Sequence, residues 1–475
     1  MVHRPWSGSM TTVIERLAEL ADGLHFEHLP ADVVYEVRRR LLDALGVMLA
    51  GASGETVTAT RAAALALGGG DEATLVGDGR RTSVERATLV NCTALRYLDY
   101  MDGHPGPYPC HACSNIPAVL AIAERTGSTG AEVARAIVLG YEIQIRLQLA
   151  AGDPDISSHG WAGPSNLGIS VPVAIGGLLG LSAKQLSHAI AISITHAPAL
   201  DACSRGQLPA SKSCLDGMIS MSAVAATLLA KEGVTGPLGA FERAGGYVEA
   251  VARHYDEGVL LAPLDRFRIR DVYDKRYNAA KCGQTAVAAG LKLVGSLPRG
   301  WRDLERLTLK LAERDYRQQL DHEQERRRPR TRDTANHSVV YCLAAALVDG
   351  DLLPEQFQSE RLQDPDILGL IDRISLATGP ELSSYWPAAN PAEVEAVTRS
   401  GEIHRERVLY PPGHPKNRLT DAQLEAKFRG LAGPALSSED LEAVVDMTRR
   451  LDQLASIRPL MELVGSRHSV GASGR

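Results

Sequence analysis

The run Asp333-Thr334-Ala335-Asn336-His337-Ser338-Val339-Val340-Tyr341 sets an imidazole, a hydroxyl and a phenol directly before an apolar helical stretch. Such groups move protons, and a stiff segment aims them. His337 and Tyr341, four residues apart, are expected to share one helical face. Polar clusters of the same character lie around Asp99–His111 and at Lys275-Arg276. The three clusters point to one enzyme site assembled from distant segments. Cys110-His111-Ala112-Cys113 has the spacing of half a zinc site, but no second ligand pair follows at a fitting distance. A structural zinc takes about four ligands, so no metal is expected.

Elements able to position these groups follow from periodicity. Helical spacing of Ala, Leu, Ile and Val predicts helices near 31–50, 85–101, 115–126, 131–150, 167–181, 183–197 and 214–232. Thr129 with Glu132 and Ser182 with Gln185 read as capping boxes. Gly233-Val234-Thr235-Gly236-Pro237 closes that block with breaker residues. After about residue 270 the character changes. Leu307–Leu311 and Ile374–Ala377 alternate like strands, and 393–410, interrupted by Ser400-Gly401, reads as a hairpin. Helices are expected from near His337 and over 354–361. A further capping box, Thr420 with Gln423, and amphipathic spacing over 438–457 bring the helical signal back. The expected fold is mainly α: a large all-helical domain over 1–270, a smaller α+β lid over 271–417, and helices from 418 that return to the first domain. The tail from about Gly465 is expected to be disordered.

Bulk properties narrow the function. With 475 residues, 44% hydrophobic and 23% charged, the chain reads as an ordinary soluble globular protein of two or three domains. A net charge of −6 argues against nucleic-acid binding and means that an anionic substrate needs a local cationic pocket. The apolar run Leu167–Leu181 is interrupted by Pro172 and is too short to span a membrane. Seven scattered cysteines fit reduced thiols, and the start shows no secretory signal, so a cytoplasmic location is expected.

The sequence resembles the MmgE/PrpD family, which includes 2-methylcitrate dehydratases, cis-aconitate decarboxylases and iminodisuccinate epimerases. The resemblance rests on many short matches in one order along nearly the whole chain: Arg40 to Gly46, Asn91-Cys92, Leu98 to Asp102 and Gly140-Tyr141-Glu142. It continues through Leu179 to Ser182, Gly233 to Pro237, Gln284 to Val287, the His337–Tyr341 cluster and Tyr410 to Pro415. It implies a cofactor-independent homodimer that moves a proton beside a carboxylate-bearing carbon of a small polycarboxylate.

By that resemblance His111 transfers the proton and Asp99 orients or accepts, Lys212 and Lys275 clamp carboxylates, and Tyr341 lines the pocket. Asp102, His104, His159, Arg205, Arg276 and His337 are candidate substrate contacts. The plain alternatives are helix-capping aspartates, solvated lysines and a core tyrosine. Some positions depart from the family's pattern: Ala162 or Gly163 and Ala280 replace frequent proton carriers, and Cys282 stands where many dehydratases have histidine. His159 is the nearest replacement in the first segment. Arginines 326, 327, 328, 330 and 332 form either a solvated loop or a basic rim that draws in polyanions. The expected function is a lyase most like a 2-methylcitrate dehydratase. The alternatives are an epimerase, isomerase or decarboxylase on the same site, or an inactive scaffold.

Overall fold

The structure, a computed structural model, describes residues 11–152 and 155–466. Helix starts follow local chemistry. At Thr12, Thr129, Ser182 and Thr420 the hydroxyl accepts the N–H three residues on, while Glu15, Glu132, Gln185 and Gln423 reach back. Each such cap stabilises its helix by about 1 kcal/mol.

The first lobe is built from α1 (Val13–Asp22), α2 (Ala31–Gly51), α3 (Glu55–Ala66), α4 (Val84–Tyr97), α5 (Ile116–Thr126), α6 (Gly130–Ala151), α7 (Leu167–Gly176), α8 (Ala183–Ile194) and α9 (Leu215–Lys231). Their apolar faces share one core, which includes Leu41, Leu45, Leu95, Ile122, Ile137 and Val224. Helices α2 and α4 approach closely at Gly51, where a methyl group would strike the Ala94 carbonyl. Among the described residues one helical stretch, Ala210–Lys231, is long and apolar enough to cross a membrane. More than half of its most apolar window (56%) is buried inside this lobe.

The second lobe has its own core. Four strands, β1 (Leu304–Leu311), β2 (Ile374–Thr378), β3 (Ala392–Thr398) and β4 (Ile403–Val408), lie in the order β2-β1-β3-β4. β1 runs parallel to β2, with Leu307 opposite Ile374, and antiparallel to β3, with Leu309 opposite Val394. The β3–β4 hairpin pairs Glu395 with Arg405. Leu307, Leu309, Val394 and Ala396 pack with α10 (Lys281–Val294) and α11 (Val339–Asp349). The other sheet face carries ion pairs such as Lys310–Glu393 (2.8 Å) and Arg405–Glu395 (2.7 Å). Alternation along each strand produces this division.

The chain then re-enters the first core through α12 (Asp421–Ala432), α13 (Ser438–Arg449) and α14 (Arg458–Gly465), which bury Phe428, Val444 and Leu460 there. Of the tail expected to be disordered, Gly465 ends α14, Ser466 follows it, and the remainder lies outside the described residues.

Several elements differ from the sequence expectation. The helix expected to reach 101 stops at Tyr97, and the one expected to reach 181 stops at Gly176. The helix expected over 354–361 is two short turns, Pro354–Phe357 and Arg361–Gln363. Most consequential, the polar cluster is not one helix. Arg332–Asn336 forms a single turn, His337 ends it, and the Ser338 hydroxyl accepts the Tyr341 N–H (3.1 Å) to start α11 afresh. His337 and Tyr341 therefore leave the chain on different elements.

Candidate active site

The site gathers where three segments meet at the end of α4. The Leu98 carbonyl accepts the carboxamides of Asn278 (2.6 Å) and Asn336 (3.5 Å), both from the second lobe. The next residue, Asp99, has φ = +53°. That left-handed backbone costs a non-glycine residue on the order of 1–2 kcal/mol, and such costs cluster at functional sites. It turns the Asp99 carboxylate back into a buried group of cations. Lys275 Nζ donates to Asp99 Oδ2 (3.0 Å) and to its carbonyl (2.5 Å). Arg96, one turn earlier on α4, donates to Oδ1 (3.3 Å), and His337 Nε2 lies 3.9 Å from Oδ2.

Arg96 is held in turn by Asp216 (3.3 Å) in the first turn of α9, and Asp216 accepts the Ser114 hydroxyl (2.7 Å). Lys212, in the turn leading into α9, donates to His337 Nε2 (3.0 Å). Its loop is tied to the second lobe: the Ser213 hydroxyl bonds Asp333 (3.1 Å), and the Leu208 N–H bonds the Thr334 hydroxyl (2.9 Å).

The tautomers follow from the partners. His337 Nδ1 faces two acceptors, the Asp333 carbonyl (2.9 Å) and Asn336 Oδ1 (2.5 Å), so it carries the hydrogen and Nε2 keeps its lone pair. His111 Nδ1 faces the Asp102 carbonyl (2.8 Å), which likewise leaves Nε2 as a base. Burial, reinforced by the charge of Lys212, holds His337 well below the usual histidine range. Burial with Arg96 and Lys275 does the same to His111. Both rings are neutral near pH 7.

Burial also lowers Lys212 and Lys275, with the Asp99 charge opposing the fall in both. Asp99 shows the opposite balance. Burial pushes its carboxyl up, but Lys275, Arg96 and Lys212, joined by His337 once that ring is protonated at low pH, hold it well below the ordinary value. Three cations, Arg96, Lys212 and Lys275, thus face two carboxylates, Asp99 and Asp216. The surplus positive charge suits an anion, and the neutral imidazoles suit proton transfer.

Asp99, His111, Lys212, Lys275 and His337 share this cluster; the other candidates do not. The Tyr341 hydroxyl donates to the Gln356 carbonyl (2.6 Å), and its ring packs beside Phe357 in the second core. The break at His337–Ser338 sends it there. The Asp102 carboxylate faces Tyr141 (2.6 Å) and Arg40 (3.9 Å), so only its carbonyl serves the site. His104 is buried against Gln148 (2.7 Å), and burial pulls it down to about 4. Arg205 is 60% exposed and pairs with Asp201, while Arg276 pairs with Asp351 (2.8 Å) and lies over the Tyr277 ring. His159 ends the short turn Ile156–His159, with Nε2 buried and without a hydrogen-bond partner among the described residues.

The basic run is neither a solvated loop nor a rim for polyanions as a whole. Arg326 is buried and donates to the His337 carbonyl, Arg327 bonds the carbonyls of Ile371 (3.1 Å) and Ile374 (3.0 Å), and Arg332 pairs with Asp333. Arg328 pairs with Asp372 on the surface, and Arg330 is exposed. Ala280, one of the positions departing from the family's pattern, donates its N–H to the Asn336 carbonyl (2.9 Å) beside His337.

Sequence reasoning missed Arg96 and Asp216. Arg96 was legible as an i, i+3 partner of Asp99; Asp216 carried no local signal. Among the described residues, no three His, Cys, Asp or Glu side chains group in a way that could hold a metal ion.

The MmgE/PrpD N-terminal domain model matches residues 15–258, and the MmgE/PrpD C-terminal domain model matches residues 277–453. The chain belongs to the MmgE/PrpD family. Similar relatives include a cis-aconitate decarboxylase of Mus musculus, 24% identical over 472 residues, covering 96% of this chain and 94% of the relative. A cis-aconitate decarboxylase of Homo sapiens is 24% identical, covering 96% and 95%. The cis-aconitate decarboxylase-like protein oryM of Aspergillus oryzae is 24% identical, covering 92% and 94%. The MmgE/PrpD assignment spans both lobes, and the cluster described above draws on both: Asp99, His111 and Lys212 from one, Lys275 and His337 from the segments that open and cross the other.

Proposed function

We propose that this MmgE/PrpD protein is a lyase for a small polycarboxylate, and that its reaction is decarboxylation of an unsaturated tricarboxylate of the cis-aconitate type. The observation that carries the proposal is the cluster of Arg96, Lys212 and Lys275 around one ionised Asp99 and two neutral imidazoles. End-to-end similarity to relatives named as decarboxylases supports the carboxy-lyase form over the hydro-lyase form.

In that reaction the carbon–carboxylate bond breaks and carbon dioxide leaves. The bonding electron pair spreads over the neighbouring double bond onto a remaining carboxylate, where the surplus cationic charge stabilises it. Lys212 and His337 share a proton across 3.0 Å, and the ammonium, made more acidic by burial, returns one to carbon.

Dehydration of a 2-methylcitrate-like acid is the second reading. His111 Nε2 offers a base separate from the Lys212–His337 pair, and dehydration needs a base as well as an acid.

Incubation with cis-aconitate in D2O, followed by proton NMR and carbon dioxide capture, tests the proposal. The expected result is stoichiometric carbon dioxide with one deuteron fixed to product carbon, and loss of turnover in His111→Ala and Lys212→Ala with the fold intact. An alkene formed from 2-methylcitrate without carbon dioxide selects dehydration instead. Full turnover in both variants removes the assignment of the site.

A further inference from the structure

Lys427 lies 152 residues along the chain from Lys275. Its helix, α12, comes from the returning C-terminal segment, yet its ammonium sits behind the active site. Nζ donates to the Tyr100 carbonyl (2.9 Å) and the Lys275 carbonyl (3.0 Å). It also stands 2.7 Å from Asp43 Oδ1 of α2 and 4.1 Å from the centre of the Tyr100 ring. Only 7% of its side chain is exposed. One cation therefore bridges the residue after Asp99 and Lys275 itself.

The surroundings make this bridge selective. The Tyr100 hydroxyl donates to the Arg276 carbonyl (2.6 Å), and Gly103 and Tyr273 exchange backbone hydrogen bonds (3.2 and 2.9 Å). The two segments thus run together from 100 to 103 and from 273 to 276. On the far side, Gly413 (φ = +93°) accepts the Asp274 N–H (2.9 Å), in a contact so close that a methyl group at 413 would collide with the Asp274 carbonyl. Between these fixed points, Lys427 alone among the described residues bonds both the segment bearing Asp99 and the carbonyl of Lys275.

We propose that Lys427 is a positioning residue for the reaction: by clamping the carbonyls of Tyr100 and Lys275 it sets the approach of the Lys275 ammonium to the Asp99 carboxylate. It touches no substrate and acts through Lys275. The proposal deepens the assignment of the site made above and shares its premise that Lys275 works as a cation. Lys427→Met keeps the apolar stem and removes both donors; Lys427→Arg keeps charge and donors. A displacement of about 1 Å at a catalytic group can cost about 100-fold in rate.

The direct test is an NMR titration of the wild type and both variants with 15N-labelled lysine, with the Lys275 signal assigned by its loss in Lys275→Met. Asp99 raises the Lys275 ionisation against the pull of burial, so a slackened pair lowers it further. In Lys427→Met the Lys275 midpoint is expected to fall by about one pH unit, which is a tenfold change in proton affinity. Lys427→Arg should restore most of it. This readout needs no turnover, so it stands apart from the choice of substrate.

With an active substrate, kcat should fall about tenfold to 100-fold in Lys427→Met while KM changes little, and the alkaline limb of the pH profile should move to lower pH. A variant with reduced thermal stability but an unmoved Lys275 midpoint would make Lys427 a purely structural residue and overturn the proposal. If Lys427→Met does not fold, Lys427→Gln, which is shorter and uncharged and so slackens the clamp, takes its place. A Lys275 midpoint unchanged in that variant overturns the proposal, and a lowered one supports it.

Discussion

Asp99 and Asp102 lie three residues apart on one loop, and both carboxyls are buried, yet their electrostatics are opposite. Asp99 is held well below the ordinary carboxylate range although burial alone would raise it, because Lys275 at 3.0 Å and Arg96 at 3.3 Å act directly on its oxygens. Asp102 is raised to about 6, because burial is offset only in part by Arg40 at 3.9 Å, a hydrogen bond from Tyr141 and the Cys113 thiol. Arg40 is itself committed to Asp274 (2.7 Å) and Glu36 (3.4 Å). Burial by itself does not decide which acid is ionised; the placement of cations does. The same loop thus presents a permanent anion to the site through Asp99. Through Asp102 it gives the site only a carbonyl, while the carboxyl faces a charge network behind.

The most damaging way to break this contrast is Lys275→Met. It removes the nearest cation from Asp99 and leaves a buried carboxylate poorly compensated, a change that costs about 3–5 kcal/mol. The sign is fixed by the depressed ionisation. The stability that Asp99 contributes is present above its unfolded value near pH 4 and is lost as pH falls through its folded value. Urea unfolding of the variant should show lower stability near pH 7 and a weaker loss on acidification, and turnover should fall about 100-fold to 1000-fold. Equal stability in both proteins near pH 7 would remove Lys275 as the residue that keeps Asp99 charged.

Asp102→Asn sharpens the other half. A raised folded ionisation means that its contribution is complete below about pH 4 and is lost as pH rises through 6. The asparagine variant should therefore match the wild type near pH 4 and exceed it near pH 7.5 by on the order of 2–3 kcal/mol. Denaturation at the two pH values measures this, and a variant less stable at the higher pH would contradict the account. The smallest effect is expected at Tyr341→Phe. It loses one hydrogen bond to Gln356, about 1 kcal/mol of stability, and leaves turnover within about twofold because the ring faces the second core. A loss of turnover beyond tenfold would return Tyr341 to the site.

The sequence made legible the features that depend on near neighbours. Alternation along 307–311 and 374–377 and the hairpin reading of 393–410 marked the sheet, and the capping spacing at Thr129 and Ser182 marked helix starts. The resemblance singled out Asp99, His111, Lys212 and Lys275 for the site, and the fold brings these side chains together. It also pointed to Tyr341, where a single serine cap redirects the chain. His159, Arg205 and Arg276 illustrate the limit: residue type alone does not say whether an imidazole or a guanidinium will find a closer partner elsewhere, as Asp201 and Asp351 show for the two arginines.

Composition and periodicity by themselves determined that this chain forms two apolar cores, one helical and one of mixed type, because burying periodic apolar faces is a local property repeated many times. Only the tertiary structure decided which charges meet. Arg96 and Asp216 lie 120 residues apart, and Lys427 joins Asp43, Tyr100 and Lys275 from three other distant stretches of sequence. The energy of an ion pair depends on separation in space and on the solvent excluded around it, and neither quantity is written in the order of residues.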